Sequence, residues 1–200
     1  MSEKENNVRA RRRAFDREAG IKTAQALFHQ RGYDAVGISE LTKALHINPP
    51  SLYAAYGSKA GLFGRCLERY VREGNLPADK ILIPGRPLAL AIEELLIAAA
   101  RLYVKSSLRR GCLVAEGMRA DDQQARELAN QYARPGIQFI EDYIRHSEPE
   151  RAKELGDYVV TALRGFSAAA VTGLSRPRLL TVARMNGQAF TALLSLNNKT

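Results

Sequence analysis

The 200-residue sequence contains no tryptophan, two cysteines and three histidines. So few thiol and imidazole ligands, with no Cys-x-x-Cys motif, exclude a disulfide-stabilised scaffold and give no indication of a zinc site. The longest unbroken apolar run, residues 95–100, has six residues, whereas a membrane-spanning helix needs about 20. Glycine-rich phosphate loops and the common hydrolase and metalloprotease motifs are also missing. We therefore expect a protein that spans no membrane, needs no metal or cofactor and has no catalytic residues.

Acidic side chains are in short supply, because 21 Asp and Glu stand against 30 Lys and Arg, a formal net charge of +9 at pH 7. This balance is typical of proteins that bind nucleic acid, anionic lipid or an acidic partner. The basic cluster Arg11, Arg12 and Arg13 has no apolar stretch behind it. We therefore expect neither a secretory leader nor a membrane-surface helix, and predict a cytoplasmic protein. Residues 1–13 are interpreted as a flexible basic arm.

Apolar residues recur at helical spacing along the chain, and no alternating strand pattern is present. We predict an all-α fold of about nine helices. Three prolines between residues 75 and 87 indicate a boundary between an N-terminal unit, 14–74, and a C-terminal unit, 75–200. Pro135 and Gly136 are expected to kink or split one helix. The predicted helices cover about residues 13–31, 38–45, 49–56, 58–74, 88–109, 121–146, 150–174 and 177–196.

The second and third predicted helices are short and lie about three residues apart, as in a helix-turn-helix. The third begins at Asn48, a favourable N-cap, and continues with Pro49 at the first helical position. A DNA major groove admits one helix, which must carry small or polar side chains at its exposed end. The N-terminal unit is therefore predicted to be a helix-turn-helix domain that binds double-stranded DNA. Nonspecific nucleic-acid binding through charge alone is the alternative.

The residues that define this unit resemble the DNA-binding domain of the TetR/AcrR family of transcriptional regulators over about residues 15–72. The sequence departs from the family at His46, where glycine is usual, and at Ala55, where an aromatic residue or histidine is usual. The resemblance implies a homodimeric regulator, a repressor by default, that a small-molecule inducer releases from its operator. The similar positions are Phe28, Gly32, Tyr33, Ile38, Leu41, Leu45, Ile47, Leu52, Tyr53, Tyr56, Ser58, Lys59, Leu62 and Phe63.

Two kinds of DNA contact are expected. Asn48 and Ser51 are expected to read bases, although Asn48 alternatively serves only as a helix cap. The resemblance implies that Lys59 binds phosphate, and that Tyr53 and Tyr56 bind phosphate or pack beneath the third helix. The complete predicted DNA-binding set is Arg11, Arg12, Arg13, Thr42, Lys43, His46, Asn48, Pro49, Pro50, Ser51, Tyr53, Tyr56 and Lys59.

The resemblance also implies that the C-terminal unit is helical, holds a ligand cavity and forms the dimer through its last two helices. Small residues in those helices would permit close approach of a two-fold mate. The predicted dimer-interface residues are Ala162, Gly165, Ala169, Gly173, Ala183 and Gly187. The predicted cavity residues are Leu67, Tyr70, Leu102, Tyr103, Cys112, Met118, Tyr132, Phe139, Tyr143 and Phe166.

Cys112 supports a further alternative, because it follows Arg109 and Arg110 in the sequence. Positive charge beside a thiol favours the reactive thiolate. A regulator that senses oxidants or electrophiles through Cys112 is therefore an alternative function, and a buried, inert thiol is the opposing interpretation.

Overall fold

The computed structural model describes residues 15–73 and 76–196, and every regular element within these ranges is a helix. The predicted all-α class is therefore confirmed. No helix in this part of the chain is long and apolar enough to cross a bilayer. The helices are α1 Arg17–Arg31, α2 Ile38–Leu45, α3 Pro49–Tyr56, α4 Lys59–Arg72, α5 Ala78–Ile81, α6 Leu88–Tyr103, α7 Leu113–Gly117, α8 Gln123–Arg145, α9 Ala152–Val171 and α10 Arg176–Ser195.

Short polar side chains start four of these helices at the positions where the chain must change direction. Asp16, Asn48, Ser58 and Asp122 each accept a hydrogen bond from a backbone N–H in the first turn of the helix that follows. Each cap satisfies an N–H that has no partner within its helix, and such caps typically contribute about 1 kcal/mol. The boundaries of α1, α3, α4 and α8 are thus encoded locally.

An aromatic cluster forms the centre of the N-terminal core. The rings of Phe28 and Phe63 lie 5.1 Å apart, and those of Tyr33 and Phe63 lie 4.9 Å apart. Leu113 of α7 and Ala125 of α8 are buried in the same cluster. This core therefore continues from the helix-turn-helix into the C-terminal part of the chain, and joins the two parts through shared apolar packing.

A second core lies among α6, α9 and α10. Leu95, Leu96, Val159 and Phe190 are buried in it. Gly187 of α10 lets the helices approach closely, because a Cβ atom there would lie 2.6 Å from the Glu93 side chain on α6.

The structure differs from the predicted elements in two places where short helices were missed. The described residues contain ten helices rather than about nine: α5 and α7, of four and five residues, were not predicted, and α8 is not divided at Pro135. Such short segments have too few turns to show an apolar period. The helix predicted to reach residue 109 ends at Tyr103, whose carbonyl oxygen accepts a hydrogen bond from the Gly111 N–H as the chain folds back.

Of the kink or split predicted at Pro135, the split is wrong. Pro135 lies inside the continuous 23-residue helix α8. Proline removes the hydrogen bond to the carbonyl four residues earlier, and both Pro135 and Gln131 are exposed. Water is therefore able to satisfy the freed carbonyl oxygen, so the helix continues.

Candidate nucleic-acid interface and effector cavity

Five of the eight residues of helix α3 are exposed. Leu52 is the one buried residue among its eight, while Pro49, Pro50 and Ser51 at its start are exposed. A helix normally buries a broad apolar stripe against its own domain. The exposed surface of α3 is therefore available to a partner, and its short side chains suit a groove lined by base edges.

Asn48 serves as the cap of this helix. Its Oδ1 accepts a hydrogen bond from the Ser51 N–H at 2.9 Å. With Oδ1 in the cap, the side-chain amide N–H₂ remains available as a donor. Asn48 and Ser51 thus stand together at the exposed end of α3, as the sequence predicted.

The turn before α3 depends on His46, which adopts a left-handed conformation with φ 54° and ψ 40°. Its backbone N–H donates to the Lys43 carbonyl, and Ile47 N–H donates to the Thr42 carbonyl. These bonds end α2 and reverse the chain toward α3. His46 and Lys43 are both exposed beside α3.

Thr42 is not placed for DNA contact, contrary to the prediction. It is only 8% exposed. Its hydroxyl donates back to the carbonyl oxygens of Ile38 and Ser39, both at 3.0 Å. Thr42 lies one turn after Ile38, on the side of α2 that faces the domain. This position explains its burial, so Thr42 belongs to the inward-facing side of α2.

The two tyrosines of α3 have different surroundings. Tyr53 is 47% exposed on the outer surface. Tyr56 packs its ring edge-on against Phe15 and donates its hydroxyl to the Arg17 carbonyl at 2.9 Å. Burial raises the pKa of Tyr56 to about 12. Tyr56 therefore attaches α3 to α1, and of the two Tyr53 is the one placed for a phosphate.

Lys59 lies against the protein at the start of α4. Its Nζ is 4.0 Å from the centroid of the Tyr33 ring, a cation–π contact. Burial lowers the pKa of Lys59, while the nearby Asp34 and Asp122 carboxylates oppose that shift. The structure thus gives Lys59 intramolecular contacts where the resemblance implied a phosphate contact. Arg11, Arg12 and Arg13 lie outside the described residues.

A cavity of about 350 Å³ opens between α4, α6, α7, α8 and α9. Its wall is mostly apolar, as small-molecule sites usually are. Four predicted residues do not line it: Leu67 and Phe166 are buried in the two cores, Phe139 is 41% exposed, and the Tyr143 hydroxyl donates to the Arg86 carbonyl. The predicted residues on the wall are Tyr70, Leu102, Tyr103, Cys112, Met118 and Tyr132.

Sequence reasoning missed several cavity residues, including Val160, Leu163 and Arg164 of α9 and Ile137 of α8. Apolar residues of this kind carry no signal that separates cavity walls from core packing. Arg164 offered a weak signal, since it interrupts a segment that is otherwise rich in alanine and glycine.

Arg110, two residues before Cys112, uses its guanidinium in contacts with α9. The Arg110 guanidinium donates to the carbonyl oxygens of Ala170 and Leu174 on the C-terminal side of α9. The Cys112 N–H donates to the Ser167 hydroxyl at 2.9 Å. Arg110 therefore holds the loop before α7 against α9, and the half-buried Cys112 side chain lines the cavity.

The predicted dimer residues fall into two groups. Gly165 and Gly173 are exposed, and Ala162 and Ala169 are half-buried. Ala183 and Gly187 are buried within the chain, so the prediction that they form the dimer interface is wrong. Gly187 instead permits the close packing of α10 on α6, and Ala183 is buried in the second core.

Polar contacts connect the helix-turn-helix to the C-terminal helices. The Tyr33 hydroxyl donates to Asp122 at 2.7 Å, at the start of α8. On the other side, His29 Nε2 lies 3.3 Å from the Gly111 carbonyl oxygen, and its ring packs edge-on against Tyr70. Burial lowers the pKa of His29, and the Arg109 charge lowers it further, against the Gly111 hydrogen bond.

Comparisons with known proteins agree with this arrangement. The family described as "Bacterial regulatory proteins, tetR family" matches residues 21–66. The HTH-type transcriptional repressor BdcR of Escherichia coli K12 is 43% identical over 194 residues, covering 97% of this chain and 98% of BdcR. The HTH-type transcriptional repressor ComR of the same organism is 25% identical over 186 residues, covering 88% of this chain and 89% of ComR.

A solved structure shows the same architecture. It contains a cysteine-substituted form of the TetR family transcriptional regulator CifR in complex with 26-base-pair operator DNA. The two chains are 28% identical, with a TM-score of 0.77, and the match covers 90% of this chain and 99% of that one.

Proposed function

Because the chain belongs to the TetR family of bacterial regulatory proteins, we propose that it is a sequence-specific transcriptional repressor that binds operator DNA as a homodimer and responds to a small molecule. The observation that carries this proposal is the exposure of α3, which buries Leu52 alone. A helix that its own domain leaves uncovered, on a basic chain, suits the DNA major groove. Its working location is then the cytoplasm, where operator DNA is accessible.

In this function the chain divides at about residue 75. Residues 14–74 form the DNA-binding unit, residues 75–200 hold the effector and the dimer interface, and residues 1–13 add a basic arm. Asn48 and Ser51 read base edges through the free amide N–H₂ and the hydroxyl. Lys43, His46 and Tyr53 contact the flanking backbone and set the register.

The dimer is formed by the outer faces of α9 and α10. On α10 and its C-cap, residues 182, 185, 189, 192 and 196 recur at helical spacing and are all exposed. Among them Met185 is 60% and Leu196 is 67% exposed, unusual for large apolar side chains. Small residues on α9, such as Gly165, permit a two-fold mate to approach. A two-fold dimer presents two copies of α3 to a pseudo-palindromic operator.

Effector binding reaches DNA through α4. Tyr70 and Val71 near the end of α4 line the cavity, and α4 begins at Lys59, directly after α3. Phe63 in the middle of α4 touches α7 so closely that a Cβ on Gly117 would lie 2.7 Å from the ring. A ligand that moves α4 therefore changes the separation of the two α3 helices. By linkage, DNA and effector then weaken each other's binding by the same factor.

Selection of bound duplexes from a random pool tests this function. The selected sequence and a scrambled duplex are then titrated at two salt concentrations. We expect a pseudo-palindromic sequence that binds at least about a thousandfold more tightly than the scrambled duplex. Equal affinities that fall together as salt rises would show that the net charge alone drives binding, as in the nonspecific alternative.

A further inference from the structure

The effector cavity carries an unbalanced charge. Of the described residues on its wall, Arg164 is the one with a charged side chain, and no carboxylate is among them. The remaining wall is formed by aliphatic and aromatic side chains, together with Cys112 and Met118. The charge of a bound molecule is therefore met by a single guanidinium.

Arg101, Arg134 and Arg164 are helical arginines whose side chains have no hydrogen bond or ion pair with a described residue, and of the three only Arg164 lines the cavity. Arg110, Arg126 and Arg151 each donate to backbone carbonyl oxygens, and Arg145 pairs with Glu141 and Asp142. Arg164 has neither a hydrogen bond nor an ion pair with any described residue. A guanidinium carries five N–H donors in a planar fork that matches a carboxylate.

The phenols on the wall do not oppose an anion. Burial raises the pKa values of Tyr70, Tyr103 and Tyr132, so these side chains stay neutral at physiological pH. Neutral phenols offer hydrogen bonds without adding negative charge. Leu102, Ile137 and other apolar neighbours complete the surface that a ligand body would cover.

We propose that the effector is a small amphipathic monoanion, whose carboxylate pairs with Arg164 while its aromatic or aliphatic body fills the cavity. The volume of about 350 Å³ is at the small end of the range for ligand sites. Burial of the apolar body is favourable, and the carboxylate pairs with the exposed guanidinium of Arg164. This inference rests on the proposed effector-responsive function.

Matched ligand pairs test the charge requirement on the full-length protein. The probes are arylalkanoic and medium-chain carboxylates, beginning with hydrocinnamate and octanoate, each paired with its primary amide. Calorimetry measures probe affinity, and fluorescence anisotropy of a labelled operator measures release. We expect each bound carboxylate to have an affinity about tenfold higher than that of its amide, because a hydrogen bond to a charged group is stronger than one between neutral groups.

Two variants assign this preference to Arg164. Arg164→Gln is expected to bind each carboxylate and its amide with equal affinity. Operator release from this variant is measured relative to the affinity of the same variant for the operator without probe. Arg101→Gln is the matched control, because Arg101 is an exposed arginine of α6 that does not line the cavity. This control is expected to keep the wild-type preference.

The outcomes separate this inference from the proposed function. Amides that bind as well as carboxylates, or an unchanged preference in Arg164→Gln, would overturn the anionic effector while leaving an effector-responsive repressor. The absence of any carboxylate binding by a protein that binds its operator specifically would also overturn it. Loss of specific operator binding in the wild type would instead contradict the proposed function itself.

Discussion

At the scale of single residues, Asn48 caps α3 and is proposed to read a base, and one substitution is able to separate these two roles. Its Oδ1 caps α3 and its amide N–H₂ is free to read a base. Serine also caps helices well but lacks the amide donor. Asn48→Ser is therefore expected to keep the free energy of unfolding within about 0.5 kcal/mol of the wild type.

The same variant is expected to bind the selected operator about 1–3 kcal/mol more weakly and to lose preference at one base position. Competition binding against single-base operator variants, beside thermal denaturation, measures both effects. Asn48→Ala is the comparison, because it removes the cap as well. Unchanged base preference in Asn48→Ser would leave Asn48 as a cap alone.

His46 is the one residue other than glycine with positive φ among the described residues. A left-handed conformation costs an L-residue with a Cβ about 1–2 kcal/mol. We expect His46→Gly to have a free energy of unfolding about 1 kcal/mol higher than that of His46→Ala. Urea denaturation measures the difference. Lys43 is the control, because it lies inside the regular helix α2, where the Gly variant should be less stable than the Ala variant. A Gly variant more stable than the Ala variant at both positions, or less stable at both, would contradict this explanation.

These residues show what a sequence reveals and what it does not. The Asn48 cap and the proline after it were predictable, because capping depends on neighbours in the chain. The burial of Thr42 and the packing of Lys59 on Tyr33 were not, since they depend on how α2 and α4 pack within the domain. A resemblance transfers a residue's position, and its contacts follow from the surrounding structure.

At the scale of helices, α3 is held to α1 through a glycine. A Cβ on Gly20 would lie 2.4 Å from the Tyr56 hydroxyl and 2.7 Å from the Phe15 ring. Gly20→Ala is therefore expected to lower the free energy of unfolding by about 1–3 kcal/mol through overpacking. A Cβ on Gly136 in α8 would have no neighbour within 4 Å. Gly136→Ala should therefore raise the free energy of unfolding by about 0.5–1 kcal/mol. Denaturation curves compare the two, and a stabilised Gly20→Ala would show that α3 shifts freely.

The contact between α1 and the loop before α7 should depend on pH. The pKa of His29 is lowered in the folded protein, chiefly by burial, so the unfolded chain takes up the proton at higher pH. Its stabilising contribution is complete above about pH 6.5 and is lost as the pH falls toward the folded pKa. The wild type should therefore lose more stability than His29→Gln between about pH 7.5 and pH 5.5, as measured by melting temperature. Parallel losses in the two proteins would exclude His29 as the source.

Element boundaries were predictable where capping residues or prolines mark them. The predictions were wrong where tertiary contacts set the boundary. Asn48 with Pro49 marked the start of α3 and Ser58 that of α4, whereas α1 begins at Arg17, after the Asp16 cap, and not near residue 13 as predicted. The end of α6 at Tyr103 depends on the returning Gly111 N–H, and the continuity of α8 through Pro135 depends on solvent exposure. Neither condition is encoded in a local window of sequence.

At the scale of the whole molecule, the exposed stripe of α10 defines the predicted dimer. Met185→Asp would place a carboxylate at its centre, where association would bury it without a partner. We expect this variant to sediment as a monomer and to bind the operator about a hundredfold more weakly, because the two DNA contacts are no longer linked.

Leu90→Asp is the control for this change, since Leu90 is a similarly exposed leucine on α6, away from the stripe. It should remain a dimer with wild-type operator affinity. A dimeric Met185→Asp would place the interface elsewhere.

The molecular assembly was the least predictable level. Small residues in the last two helices pointed to close helix packing, and the structure shows that Gly187 achieves it with α6 inside the chain. A small side chain indicates that another helix packs closely, but it does not specify whether that helix belongs to the same chain or to a partner. The same limit applies to the cavity. Leu67 and Leu102 are both leucines in predicted helices, yet Leu67 is buried in the core and Leu102 lines the cavity.

The exposure of α3 has a consequence for evolution. Leu52 and Tyr56 hold the helix to its domain, so positions 49, 50, 51 and 54, which are all exposed, are free of packing constraints. Mutations there change recognition while costing little stability, which is the condition under which a duplicated gene acquires a new operator. A library randomised at these positions should consequently contain mostly folded members, with binding preferences that diverge from one to the next.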